Sequence, residues 1–279
     1  MAYSFPGEGA LDYFPCRYGT SRLLFRGPRR SVERPYVAYL GGTETYGKYV
    51  PHPFPDLVED EIGYGSVNLG CINAGLDVFL AEDSVLDIAR GAEAVVVQVL
   101  GALNLTNRYY LVHPRRNDRF IGATPLLKSL FRDVDFTEFS FTRHMLRTLQ
   151  TTSLDRFEVV AQELRAVWLR RMTALLGRLP QRPVLLWMAE HKPAAPGLRA
   201  AAARDPILVD ADMLATVQPG ACCYVEVVNP QNSGATGLDG MAFPPLEAPA
   251  AAALPGPQTH RDVARAVAQA LDGVLSRPS

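Results

Sequence analysis

Cysteine is scarce in this chain of 279 residues, and the four thiols, Cys16, Cys71, Cys222 and Cys223, form no C-x-x-C pair and have no histidine cluster beside them. That pattern excludes a disulfide framework and suggests no metal site; it fits buried thiols in a reducing compartment. An excess of one charge is missing too. Lys and Arg number 28 against 29 Asp and Glu, a formal net charge of −1. No global pull toward nucleic acid or an anionic membrane follows. No nucleic-acid recognition motif is present either, so nucleic acid is not an expected partner. Long apolar runs are absent: the best, Ala92 to Leu103, is too short to cross a bilayer. The first residues, Met1 to Glu8, lack the basic and apolar regions of a secretory signal. A cytoplasmic protein with no stable membrane insertion is expected. No internal repeat is visible, and nothing in the sequence fixes an oligomeric state.

What is present is the composition of a soluble globular protein, 48% hydrophobic and 20% charged. The organising stretch is Tyr36 to Gly47. Tyr36 to Leu40 is apolar and β-prone without a polar break, as in a strand covered on both faces. Gly41 and Gly42 then permit backbone angles that a Cβ would resist. Thr43 is the first side chain past that hinge, at the carboxyl end of the strand, where open α/β sheets bind ligands. An ordinary turn, with Thr43 or Thr45 capping a helix, fits the same residues.

Further strands are predicted at Ser66–Leu69, Ala94–Leu100, Pro183–Met188 and Cys223–Val228, with Ile207–Val209 as a short extension. Helices are predicted at Pro55–Gly63, Leu76–Ala81, Val85–Ala89, Met213–Val217 and Gln258–Leu275. From Phe157 to Leu179, Val160, Leu164, Val167, Trp168, Met172, Leu175 and Leu176 recur at helical spacing and read as core. Residues 108 to 180 are expected to be largely helical. Asn229 to Pro257 is a long loop rich in Pro, Gly and Ala. The alternation implies a three-layer α/β/α domain over 36–279, with a mostly parallel five-stranded sheet and flavodoxin-like winding.

Residues 1 to 35 read as an ordered arm broken by Pro and Gly. It carries Arg17, Arg22, Arg26, Arg29, Arg30 and Arg34 and no Lys. A solvated basic face is one reading. The other is an anion clamp, since guanidinium forks match phosphate, sulfate and carboxylate. Arg26, Arg29 and Arg30 are its candidates, joined by Arg115, Arg116 and Arg119 of a second Arg-rich loop.

Three strand ends carry small polar groups: Thr43, Gly70 and Asn104. If those strands are neighbours, the ends meet at one edge. A hydroxyl, a glycine N–H and an amide are the parts of an acyl-transfer site. Glu44, Asn73 and Asn107 lie beside those ends and are expected to touch the ligand.

The chain resembles the SGNH (GDSL) hydrolase superfamily over most of its length. Gly41-Gly42-Thr43-Glu44-Thr45-Tyr46-Gly47 is similar to the family's Gly-Asp-Ser-x-Thr-x-Gly block, and Gly70 to its second-block glycine. Gly101-Ala102-Leu103-Asn104 resembles Gly-x-Asn-Asp with one extra residue, and Asp239 to Pro244 faintly resembles Asp-x-x-His-Pro. As a whole the chain also looks like a bacterial domain family of unknown function whose members share the Arg arm. The resemblance implies a hydrolase or acyltransferase acting on an anionic or carbohydrate-linked ester. Thr43 would stand at the nucleophile, with Gly70 and Asn104 forming the oxyanion hole. A transferase would bring an acyl-coenzyme A donor; no other cofactor is implied. Two departures weaken it: Thr replaces the nucleophilic Ser, and Ala242 stands where the catalytic His belongs. His260, where the family often has a later His, His113 and Glu44 are the substitute bases. The alternative is an SGNH-like domain that binds an anionic small molecule without turnover.

Overall fold

The fold was analysed in a computed structural model that describes residues 9–195, 204–229 and 235–275. The first eight residues of the arm and residues 230–234 of the long loop lie outside the described residues.

Five parallel strands form the main sheet: β1 (Tyr36–Gly41), β2 (Gly65–Gly70), β3 (Ala94–Gln98), β6 (Val184–Ala189) and β7 (Cys223–Val228). Their order is β2-β1-β3-β6-β7, so the chain winds outward in both directions from β1. This is the flavodoxin-like order, and the reversal falls between β1 and β3. Side chains of a strand point alternately to its two faces. Tyr36, Ala38 and Leu40 therefore join Val67, Leu69, Val95, Val97 and Trp187 on one side. Val37 and Tyr39 join Val96, Leu186 and Met188 on the other.

Helices cover both faces. On the first lie α3 (Leu76–Leu80), α4 (Asp83–Arg90), α7 (Leu154–Gly177) and α8 (Ala211–Val217). The stripe that runs through α7 is buried as the sequence predicts, and Trp168 at its centre donates its indole N–H to Leu100 O at 2.7 Å. On the second face lie α2 (Phe54–Ile62) and α10 (Pro257–Leu275), packed on each other. The arm is tied in as well. Cys16 and Phe25 bridge in antiparallel fashion, and Tyr18 and Phe25 are buried in the first core.

Residues 108 to 180 are largely helical beyond a linking segment. An antiparallel hairpin, β4 (Tyr110–Val112) and β5 (Phe120–Ala123), precedes α5 (Pro125–Leu130) and α6 (Thr142–Thr152). Its strands are three and four residues long, too short to display a period. Ile207 to Val209 is a turn and not a strand extension. The long loop contains a short helix, α9 (Ala248–Ala251).

Candidate functional site

The ends of β1, β2 and β3 meet as expected, but the hinge works through space and not through backbone freedom. Gly42 is in extended backbone, with φ −91°. A Cβ on Gly41 would lie 2.0 Å from Thr45 Oγ1 and 2.5 Å from Gln98 Oε1. The glycines let α1 (Thr43–Tyr46) start against β3. Neither Thr43 nor Thr45 caps this helix; the N-cap is Gly42.

Gln98 is the hub of that junction. Its Oε1 accepts from Gly42 N at 2.9 Å, Thr45 N at 3.3 Å and Thr45 Oγ1 at 2.6 Å, while its Nε2 donates to Glu44 Oε2 at 2.9 Å. Burial holds the Glu44 carboxyl above the usual carboxylate range, and nearby Asp205 adds to the rise; Gln98 and Arg143 pull against it.

Thr43 is buried, and its hydroxyl is held by one residue. Asn73 N donates to Thr43 Oγ1 at 2.9 Å, and Thr43 Oγ1 donates to Asn73 Oδ1 at 3.3 Å. Asn73 has φ +55°, the left-handed region that Asn tolerates better than most side chains. Its Nδ2 donates onward to Asp118 Oδ2 at 3.2 Å. The chain Thr43–Asn73–Asp118 has the outline of a hydroxyl–base–acid relay, but a carboxamide stands at the base position and cannot take a proton. Asn104 completes the floor: Nδ2 donates to Asn73 O at 3.0 Å, and Oδ1 accepts from Thr142 Oγ1 at 2.6 Å.

Thr43, Glu44, Gln98, Asn73 and Asn104 line a niche of about 70 Å³. Thr43, Glu44, Asn73, Arg143, Met188 and Asp205 also line a larger cleft of about 610 Å³, where Lys48, Arg147 and Arg204 contribute further cations. A second cleft of about 440 Å³ on the Asn104 side shares Asn73, Arg143 and Arg147.

Several expected site residues sit elsewhere. Gly70 N donates to Asn68 Oδ1 at 2.9 Å and so is not free for an oxyanion. Gly70 is small because α1 passes over it: a Cβ would lie 2.4 Å from Tyr46 N. His260 is buried on the α2 side, where Nδ1 accepts from Phe54 N at 3.0 Å, and burial pushes the imidazole down to about 3. His113 Nδ1 accepts from Arg115 N and Arg116 N at 3.2 Å each. Among the described residues, no histidine is hydrogen-bonded to Thr43. Asn107 closes its own turn, accepting from Tyr109 N and Tyr110 N at 2.9 and 3.2 Å.

Arg26, Arg29 and Arg30 of the arm contact the protein itself and do not line these clefts. Arg26 is buried and donates to Gly47 O at 2.6 Å and Pro51 O at 2.7 Å. Arg29 lies over the Tyr18 ring, and Arg30 pairs with Glu59 at 3.4 Å. Arg115 and Arg116 are exposed on their loop, and Arg119 stacks on Phe141 with its guanidinium 4.3 Å from the ring centroid.

The residues that take over were missed in the sequence. Arg143 and Arg147 are one turn apart on α6, and Gln98 is the single polar side chain of β3. A polar residue inside an unbroken apolar strand was the available signal for Gln98. For Arg143 and Arg147 there was none, since their helix reaches the site only through the tertiary fold. No helix among the described residues is long and apolar enough to cross a membrane.

No curated protein matches the chain. A family model described as a domain of unknown function (DUF6473) matches residues 1–275, and the chain belongs to that family.

Proposed function

We propose that this family member binds a small anionic molecule in the cleft over Thr43, in an SGNH-like site whose hydroxyl is oriented but has no imidazole to activate it. The observation that carries the reading is the pair Arg143 and Arg147 at the rim. Arg143 is tied to Asp205 at 2.5 Å, whereas the Arg147 guanidinium has no ion pair among the described residues. Lys48, Arg143, Arg147 and Arg204 outnumber Glu44, Glu190 and Asp205 among the residues that line the cleft. Guanidinium forks suit carboxylate, phosphate or sulfate. The Thr43 hydroxyl and the Asn104 amide would hold the ligand's neutral polar groups.

Ester hydrolysis or acyl transfer is a second reading, favoured by the Glu44 carboxyl in the same niche. A carboxyl raised toward neutrality is suited to proton transfer. Thr43 Oγ would attack the acyl carbonyl, Glu44 would take its proton, and the Asn104 amide would face the oxyanion. The leaving alcohol or thiol would recover that proton, and water or an acceptor hydroxyl would then take the acyl group, its proton returning through Glu44 to Thr43 Oγ. An anionic ester or an acyl-coenzyme A donor is the substrate class for this reading.

Calorimetric titration with acetate, butanoate, phosphate and sulfate tests the first reading. Saturable binding that disappears in Arg143→Ala/Arg147→Ala supports it, and binding that survives the double substitution sinks it. Thiol or acid release from acyl-coenzyme A and short esters, lost in Thr43→Ala and Glu44→Gln, would establish the second.

A further inference from the structure

The larger cleft has two unlike walls. Arg143 and Arg147 of α6 line one with Asp205, while Lys48 pairs with Glu247 at 3.7 Å, next to α9. The other is built from the end of α9 and the turn after it: Ala250, Ala252, Ala253, Leu254 and Pro255, with no polar side chain among those five. Ala250, Ala252 and Ala253 are exposed, and Met188 and Ala189 continue the apolar surface from the end of β6. Methyl-sized side chains leave room for an extended chain to lie close. A volume of about 610 Å³ is in the range of sites for drug-sized ligands.

Building on the anion reading, we infer that the ligand is a single-chain anionic amphiphile, an acyl or alkyl chain ending in a carboxylate, phosphate or sulfate. Arg143 and Arg147 hold the head. The chain lies along Ala250 to Pro255. The head would then sit beside Thr43 and Asn73, which line the same cleft.

The test is a calorimetric series of butanoate, hexanoate, octanoate and decanoate below micelle formation, with octyltrimethylammonium as the cationic control. Affinity should rise along the series, by up to about four-fold per methylene for a fully buried chain. The cationic control should not bind. Ala253→Asp places a charge on an exposed wall position and should flatten the series. Equal affinities for butanoate and decanoate would overturn the amphiphile while leaving the anion site standing. Failure of every anion to bind would instead remove the anion reading beneath it. Co-sedimentation with phosphatidylglycerol vesicles without decanoate binding would also overturn the proposal, pointing to a membrane surface in place of a free amphiphile.

Discussion

The Asn73 backbone N–H donates to the Thr43 hydroxyl oxygen at 2.9 Å, and that hydroxyl donates to Asn73 Oδ1 at 3.3 Å. One residue, in left-handed backbone, thus fixes both the position and the direction of the hydroxyl. The Asn73→Gly variant keeps the backbone N–H and removes only the amide. Ligand affinity should fall several-fold with stability changed by less than about 1 kcal/mol, because glycine adopts positive φ without strain. Asn73→Ala should lose a further ~1 kcal/mol of stability from the backbone alone. Paired denaturant melts and titrations check both.

Gln98 is expected to matter for stability before it matters for ligand. Its replacement by Leu leaves Gly42 N, Thr45 N and the Glu44 carboxyl without their partner. Buried groups stripped of a partner cost about 1–3 kcal/mol each, so a loss of roughly 3 kcal/mol in urea unfolding is expected. A loss under 1 kcal/mol would contradict the hub.

Arg26 and Arg143 should behave oppositely, although both are arginines near Thr43 in sequence or in space. Arg26→Ala removes a buried guanidinium from the Gly47 and Pro51 carbonyls and should cost about 2–4 kcal/mol. Its ligand affinity should be unchanged at a temperature where the variant is folded. Arg143→Ala removes a half-exposed ion pair, should cost under about 1 kcal/mol, and should weaken ligand binding at least ten-fold. Thermal melts beside titrations separate the two.

The contrast explains what the sequence could reveal. Tyr36–Gly41 and Ala94–Gln98 are readable because buried parallel strands are near-continuous apolar runs. The meeting of Thr43 and Asn104 follows once the strand order is known. The destination of an arginine does not follow, because the same side chain serves as a ligand clamp or as a buried donor to carbonyls. Arg26 and Arg143 differ only in what the folded chain places around them. His260 misleads for the same reason: its position in the chain suits a late catalytic base, yet α10 packs on α2 and turns it inward onto Phe54.

His260 should leave a mark on stability against pH. Its imidazole is near 3 in the folded protein and 6.5 in its ordinary state, so the unfolded chain binds the extra proton between those values. Stability from this residue is therefore complete above about pH 6.5 and falls as pH drops, by up to about 1.4 kcal/mol per unit. Glu44 and Asp56 act in the opposite sense above their ordinary values of 4.5 and 3.8, since their carboxyls are raised on folding. His260→Asn keeps an acceptor for Phe54 N without a titrating ring. It should flatten the slope between pH 6.5 and 5 by roughly one proton, and an unchanged slope would contradict the buried neutral imidazole.

The most direct measurement is the anomalous scattering of selenate soaked into crystals of the protein. The account predicts a peak within hydrogen-bond reach of the Arg143 and Arg147 guanidinium groups, in the cleft that Thr43 lines. Selenate bound at Arg29, Arg30, Arg115 or Arg116, with no density at Arg143 and Arg147, would contradict it.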